Sequence, residues 1–105
     1  MQNSEDPNNI VMVCKDCGDM RKQDWQDHNK DKIIKIGDFV KIALQDSSKS
    51  RAEHCWIKIT KVGKDGKTME GFLDNIPIYL KKYVYGDNIS LRREDIEDHT
   101  GRDGK

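Results

Sequence analysis

The sequence has few cysteines and no long apolar run. Its 105 residues include three cysteines, an odd and low number. Secreted disulfide scaffolds usually carry an even number at higher density, so that class is excluded and a reducing compartment is favoured. No apolar run reaches the length of a membrane span, and no apolar signal segment follows Met1. We therefore expect a cytoplasmic protein with no membrane partner.

Neither sign of charge is in excess. The chain has 19 basic and 19 acidic residues; residues 1–32 carry a net charge of −2 and residues 33–105 a net charge of +2. Nucleic-acid binding driven by a basic patch is therefore not favoured. Only 34% of the residues are hydrophobic and 36% are charged. This composition indicates one small domain with part of its length unpacked.

Known catalytic motifs are also missing. The sequence has no Walker loop, no Gly-x-Gly-x-x-Gly, no Gly-x-Ser-x-Gly and no His-Glu-x-x-His. Acidic residues are abundant, but no two of them are placed as an acid/base couple. An enzyme is therefore not expected.

The pattern changes along the chain. We predict a disordered N-terminus over residues 1–9, an N-terminal arm over 10–32, a β domain over 33–98 and a flexible tail over 99–105. Asp19 is placed to cap a short helix in the arm. Period-two alternation predicts strands at residues 39–44 and 88–91, and residues 92–98 fit one helical turn followed by a short strand.

The clearest local signal is a β-hairpin over residues 53–75. Asp65-Gly66 is a favoured two-residue turn between two strand-like segments. This turn predicts five cross-strand pairs: Lys61–Glu70, Val62–Met69, Thr60–Gly71, Ile59–Phe72 and Cys55–Ile76. A four-residue loop would shift these partners but leave each side chain on the same face, so in either case apolar side chains fall on both faces of the hairpin. The predicted fold is therefore mainly β, either a small SH3-like barrel or a strongly curled antiparallel sheet, with a loosely ordered N-terminal arm.

Several short motifs resemble one bacterial family. They are Glu53-His54-Cys55-Trp56, the spacing Gly71-x-Leu73-x-Asn75-x-Pro77, Gly86-Asp87 and Arg93-Glu94-Asp95-Ile96-Glu97-Asp98. Together they resemble the YegJ-like bacterial proteins, a domain-of-unknown-function family, over residues 35–98. The resemblance implies a compact, mainly β domain of bacterial or phage origin and no catalytic residues or ligand. Cys55 stands where the family often has methionine, and the Cys14–Cys17 pair is not a feature of the family.

The cysteine pair near the N-terminus is the one hint of chemistry. Cys14-Lys15-Asp16-Cys17-Gly18 has the form of a zinc knuckle, and His28 is spaced to be a third ligand. His54, Cys55 and His99 are candidates for a fourth. The alternatives are a thiol-redox pair and two ordinary thiols. His54 and Cys55 are not expected to form a catalytic couple, because adjacent side chains on a strand point to opposite faces.

Aromatic residues suggest how the protein could act. Trp56, Tyr79, Tyr83 and Tyr85 are predicted to form an interaction surface, since tyrosine and tryptophan anchor many interfaces. The leading hypothesis is a non-enzymatic module that binds another protein, such as an immunity or inhibitor protein. The alternative is a zinc-stabilised β module that binds nucleic acid, with Trp25 and Trp56 as stacking platforms. Acidic residues interleave its basic clusters, so it is not favoured.

Overall fold

The computed structural model describes residues 19–46 and 51–100. Within them lie one helix, α1 (Asp19–His28), and five strands: β1 (Phe39–Leu44), β2 (Glu53–Val62), β3 (Thr68–Leu73), β4 (Asn88–Arg92) and β5 (Asp98–Thr100). A 3₁₀ turn at Arg93–Asp95 joins β4 to β5. The predicted strands and the predicted helical turn before a last short strand are confirmed, but that strand includes His99 and Thr100, the first two residues of the predicted flexible tail. No helix in the described ranges is long and apolar enough to span a membrane.

All five strands form one antiparallel sheet in the order β4-β3-β2-β1-β5. The mainly β fold is therefore confirmed. Strands β4 and β5 are the two edges, and no pairing between described residues joins them. The sheet is open, so the closed SH3-like barrel is not formed, and the antiparallel sheet is the predicted alternative that is found.

The core lies on one face of this sheet. Strand residues alternate between buried and more exposed, as in β4, where Ile89 and Leu91 are buried between exposed neighbours. Trp25 of α1, Ile34, Leu80 and Tyr83 from connecting segments, and Ile96 complete the cluster. The largest fully buried apolar side chains are Ile42, Leu44, Ile57, Ile59, Leu73, Ile89 and Ile96.

A β-bulge at Thr60 explains why apolar residues seemed to fall on both faces of the hairpin. Lys61 pairs with Glu70 and Val62 with Met69, as predicted, but the register then shifts and Ile59 pairs with Gly71. The predicted pairs of Ile59 with Phe72, Thr60 with Gly71 and Cys55 with Ile76 are wrong for this reason. One extra residue in β2 returns both Ile59 and Val62 to the core side.

Gly71 permits the close approach of β2 and β3. A Cβ atom at this position would lie 2.2 Å from the carbonyl oxygen of Lys58 and 2.7 Å from Cγ2 of Ile57. Neither contact is compatible with van der Waals radii, and the nearer one is to backbone. The strands can pair in this register only because residue 71 has no side chain.

Helix α1 is held against the β4–β5 connection. The Gln26 side-chain amide donates hydrogen bonds of 2.8 Å to the carbonyl oxygens of Arg93 and Ile96. Trp25 packs edge-on against His99 of β5, with ring centroids 6.3 Å apart. The guanidinium of Arg93 lies over the Trp25 ring, 5.3 Å from its centroid. Trp25 is buried, so it is a core residue and offers no platform for stacking a base.

Candidate functional site

Five of the seven exposed large apolar side chains among the described residues lie in the loop between β3 and β4, residues 74–87. Ile76 and Ile78 are each 79% exposed, Val84 60%, Tyr85 57% and Tyr79 51%. We call these five side chains the apolar loop patch. Single exposed apolar residues are common on protein surfaces, but five within ten positions are not. The patch is therefore the feature of the described surface that most strongly indicates a binding site.

Glu53, the first residue of β2, holds the middle of this loop. Its carboxylate accepts hydrogen bonds from the backbone N–H of Ile78 at 2.8 Å and of Tyr79 at 2.7 Å, with a longer one from Leu80 at 3.3 Å. Consecutive N–H groups that converge on one anion fix the local backbone conformation. Glu53 thus sets the backbone that displays Ile78 and Tyr79.

Two further carboxylates hold the rest of the loop. Asp46, just after β1, accepts hydrogen bonds from the backbone N–H of Lys81 at 2.8 Å and of Lys82 at 2.9 Å. Asp87 accepts one from the N–H of Val84 at 2.9 Å. The loop is longer than most connections between neighbouring strands. Its backbone is nevertheless held by the side-chain carboxylates of three residues.

The contacts with the loop lower the pKa of Glu53. Burial by itself raises the pKa of this carboxyl, but the N–H groups of Tyr79, Ile78 and Leu80 together lower it below its ordinary value of 4.5. Hydrogen bonds from N–H donors favour the ionised form. The charged carboxylate is therefore the form that stabilises the loop.

Leu80 and Tyr83 attach the loop to the core. Their side chains are only 7% and 6% exposed, and both belong to the hydrophobic cluster. The prediction that Tyr83 lies on the interaction surface is corrected here, because a buried ring cannot meet a partner without unfolding the loop. Tyr79 and Tyr85 are exposed, as that prediction requires.

Both basic and acidic residues border the patch. Arg51 lies over the Tyr79 ring, with its guanidinium carbon 4.3 Å from the ring centroid. Lys81 and Lys82 are exposed beside it. Four acidic residues also lie nearby: Asp46, Glu53 and Asp87 direct their carboxylates to backbone N–H groups of the loop, and Asp74 begins the loop. The rim of the patch is therefore mixed in charge, and Arg51, Lys81 and Lys82 form its basic side.

Trp56 lies on the outer face of β2 and is half-buried. Its backbone N–H donates to the side-chain oxygen of Asn75, and its carbonyl accepts from the N–H of Asp74 at 2.9 Å. The ammonium of Lys41 lies 5.2 Å from the centroid of the indole ring. Trp56 therefore bonds to the start of the loop through its backbone, while its ring face is covered by a lysine.

The predicted zinc ligands are only partly placed. Cys14 and Cys17 lie outside the described residues. His28 is exposed at the end of α1, where its Nδ1 lies 2.9 Å from the carbonyl oxygen of Asp24 and 3.3 Å from its carboxylate. The backbone contact with Asp24, followed by the charge of that residue, raises the pKa of His28. Within the described ranges, no three His, Cys, Asp or Glu residues are grouped to hold a metal.

The three candidates for a fourth ligand are each engaged elsewhere or buried. Nδ1 of His54 is 2.6 Å from the carboxylate of Glu97, and Nε2 of His99 is 2.9 Å from that of Asp38. Cys55 is fully buried, and burial, with the charges of Glu53 and Glu97, raises its pKa to about 12. A thiol of this kind packs as a small apolar residue and is inert at neutral pH.

Reasoning from the sequence did not place Ile76 in the interaction surface, counted Ile78 only as a neighbour of the tyrosines, and missed all three carboxylates that hold the loop. Ile76 and Ile78 flank Pro77, and a proline between apolar residues is a signal that they are not a central strand. Asp46 and Glu53 had no such signal. Their partners lie 25 to 36 positions further along the chain.

The open sheet and the loop that it supports define a small, mainly β domain with an exposed apolar surface. A family model described as "Uncharacterized protein conserved in bacteria (DUF2314)" matches residues 20–103. The match spans most of the chain, which therefore belongs to this family. No curated protein and no solved structure matches the chain. The predicted bacterial family of unknown function is confirmed, and the narrower likeness to YegJ-like proteins stays a prediction.

Proposed function

We propose that the protein is a non-enzymatic bacterial module that binds another protein through the apolar loop patch. The observation that supports this function is a loop whose backbone is held by Glu53, Asp46 and Asp87 while five of its apolar side chains, those of the apolar loop patch, are exposed. A loop ordered before binding loses little entropy when it docks, which favours affinity. Exposed isoleucine and tyrosine side chains supply the apolar contact area.

The partner that this surface fits has an apolar recess edged by acidic residues. Ile76, Ile78 and Tyr79 would fill the recess, and the basic side of the rim, formed by Arg51, Lys81 and Lys82, would face the carboxylates. Complementary rim charges mainly raise the association rate and select against wrong partners. An immunity or inhibitor protein of the cytoplasm is one role that such a surface would serve.

Photo-crosslinking in a bacterial extract tests the proposal. A photo-reactive amino acid replaces Ile78 in one variant and Ser90, exposed on β4, in a control variant. We expect one acidic protein to be crosslinked from position 78 and not from position 90. Equal crosslinking from both positions, or a product that contains only a second copy of this chain, would contradict the proposal.

Affinity measurements with the purified partner complete the test. Ile78→Ser and Tyr79→Ala should each raise the dissociation constant by about tenfold or more, because central anchors contribute most of the binding energy. Lys64→Ala, in the distant β2–β3 turn, is the matched control and should leave binding unchanged. Retention of full affinity by the double variant of Ile78 and Tyr79 would exclude the patch as the contact surface.

A further inference from the structure

A cavity of about 360 Å³ lies at the opposite end of β3 from the apolar loop patch. One wall is the β2–β3 turn, and the other is the segment that joins α1 to β1; Arg93 closes the side between them. Ligand sites in proteins commonly have volumes of roughly 300–1,000 Å³. The residues that line this cavity are Lys30, Asp31, Lys32, Ile33, Ile34, Val62, Asp65, Gly66, Lys67 and Arg93.

The lining is positively charged in a molecule that has no net charge overall. Four basic residues, Lys30, Lys32, Lys67 and Arg93, face two acidic ones, Asp31 and Asp65, so the local charge is +2 against a formal net charge of 0 for the chain. Asp65 also accepts a hydrogen bond of 2.8 Å from the backbone N–H of Lys67. An excess of positive charge on a concave surface raises the local concentration of anions.

Arg93 is held in a fixed position at this cavity. Its guanidinium lies 5.3 Å from the centroid of Trp25 and donates to the carbonyl oxygen of Asn29. A guanidinium carries five N–H donors in a planar fork, which matches the geometry of a phosphate or carboxylate. Because stacking on Trp25 has already fixed the side chain, an anion that binds here would not have to order it.

The cavity also has an apolar part. Ile33 is 72% exposed, although it lies next to the buried Ile34, and Val62 packs against the core cluster from the other wall. A bare inorganic ion would leave Ile33 in water. A ligand with an apolar body would cover Ile33 and gain from the area that it buries.

We propose that this cavity binds a small anionic ligand, a phosphate or carboxylate group on an apolar body. Arg93 and the three lysines would bind the anion, and Ile33 with Val62 would contact the apolar body. This site is separate from the apolar loop patch, so either proposal can fail without the other. The shared chemistry fits two sources, a free organic phosphate and the terminal carboxylate of a peptide.

Titrations followed by the backbone amide signals in NMR spectra test the site. The probes are phenyl phosphate for the first source and N-acetylphenylalanine for the second, with inorganic phosphate and benzyl alcohol as controls that each lack one part. We expect one of the two probes to shift the amides of residues 30–34, 66–67 and 93. It should bind about tenfold or more tightly than either control. The tighter probe then identifies the source.

Charge reversal at exposed positions provides the matched variants. The double variant Lys32→Glu and Lys67→Glu should weaken binding of the tighter probe by about tenfold or more, and added salt should weaken binding to the wild-type protein. Lys64→Glu, in the same turn but outside the lining, should have little effect. The proposal is overturned if no cavity amide shifts, if inorganic phosphate binds as well as the probes, or if Lys64→Glu weakens binding equally.

Discussion

Asp46, Glu53 and Asp87 use their carboxylates to order backbone that lies far from them in the sequence or outside any regular element. Hydrogen bonds from N–H groups to a charged acceptor are about twice as strong as those between neutral groups. At the scale of single residues, the conformation of the loop therefore depends more on these acidic side chains than on the residues that the loop exposes.

The first prediction at this scale concerns Glu53→Gln. Glutamine keeps an acceptor oxygen but loses the charge, so we expect the free energy of unfolding to fall by about 1–2 kcal/mol. Urea denaturation measures this change, and hydrogen exchange at the amides of Ile78 and Tyr79 should accelerate. Glu70→Gln on β3, where the side chain contacts Asn88 at the surface, is the control and should cost less. Equal losses in both variants would contradict the role given to Glu53.

The second prediction is the pH dependence of this effect. The pKa of Glu53 is lower in the folded protein than its ordinary value of 4.5, because the N–H bonds of the loop outweigh burial. The carboxylate therefore contributes its full stabilisation above pH 4.5 and loses it as the pH falls through the lower folded value. Melting temperatures measured from about pH 6 to about pH 3 should fall further for the wild type than for Glu53→Gln. Parallel curves would show that Glu53 is not the group responsible.

At the scale of secondary structure, the Thr60 bulge decides which side chains of β2 face the core. Ile59 pairs with Gly71 and Lys61 with Glu70, so removal of the residue between them would leave a regular ladder with every side chain on its present face. We predict that a chain with Thr60 deleted folds, whereas a chain with Lys41 deleted does not, because the β1 ladder has no bulge to absorb the loss and either Val40 or Ile42 would turn away from the core. Circular dichroism and NMR spectra distinguish the outcomes; loss of structure in both deletions would contradict this account.

A side chain at position 71 is predicted to overpack the contact between β2 and β3. A methyl group at this position collides with the backbone of Lys58, so Gly71→Ala should lower the free energy of unfolding by about 1–3 kcal/mol. Denaturant titration measures the loss. Ser90→Ala, at an exposed position on the neighbouring strand, is the control and should change stability little. A neutral Gly71→Ala would mean that β2 and β3 can separate at this point without cost.

The elements themselves could be predicted because each has a local cause. Alternation identifies β1 and β4, and the turn signal at Asp65-Gly66 locates the reversal of the hairpin well enough to give its first two pairs, although the backbone hydrogen bonds close a four-residue loop over residues 64–67. No local sequence signal marks the bulge at Thr60. The bulge forms because pairing with β3 and packing of the core together require one extra residue in β2. The burial of Tyr83 depends in the same way on tertiary packing. The local sequence therefore does not distinguish this buried tyrosine from the exposed Tyr79 and Tyr85.

At the scale of the whole molecule, balanced charge and an exposed apolar patch act together on solubility. The formal net charge is 0 at pH 7, so molecules do not repel one another strongly and we expect a solubility minimum near neutral pH. Ile78→Lys and Ser90→Lys add the same charge, but only the first removes exposed apolar area. Precipitation with ammonium sulfate at pH 7 should therefore show the larger gain for Ile78→Lys. Equal gains would mean that charge alone limits solubility.

The supports of the loop are separate from the side chains that it displays. Glu53 and Asp46 bond to backbone N–H groups, which every residue except proline possesses, so they do not depend on which side chains stand at positions 78, 79, 81 and 82. Substitutions at these positions can therefore accumulate without a change in the shape of the loop. A lineage could exchange one partner for another by altering a few side chains, and an engineer could graft new recognition residues onto the same scaffold.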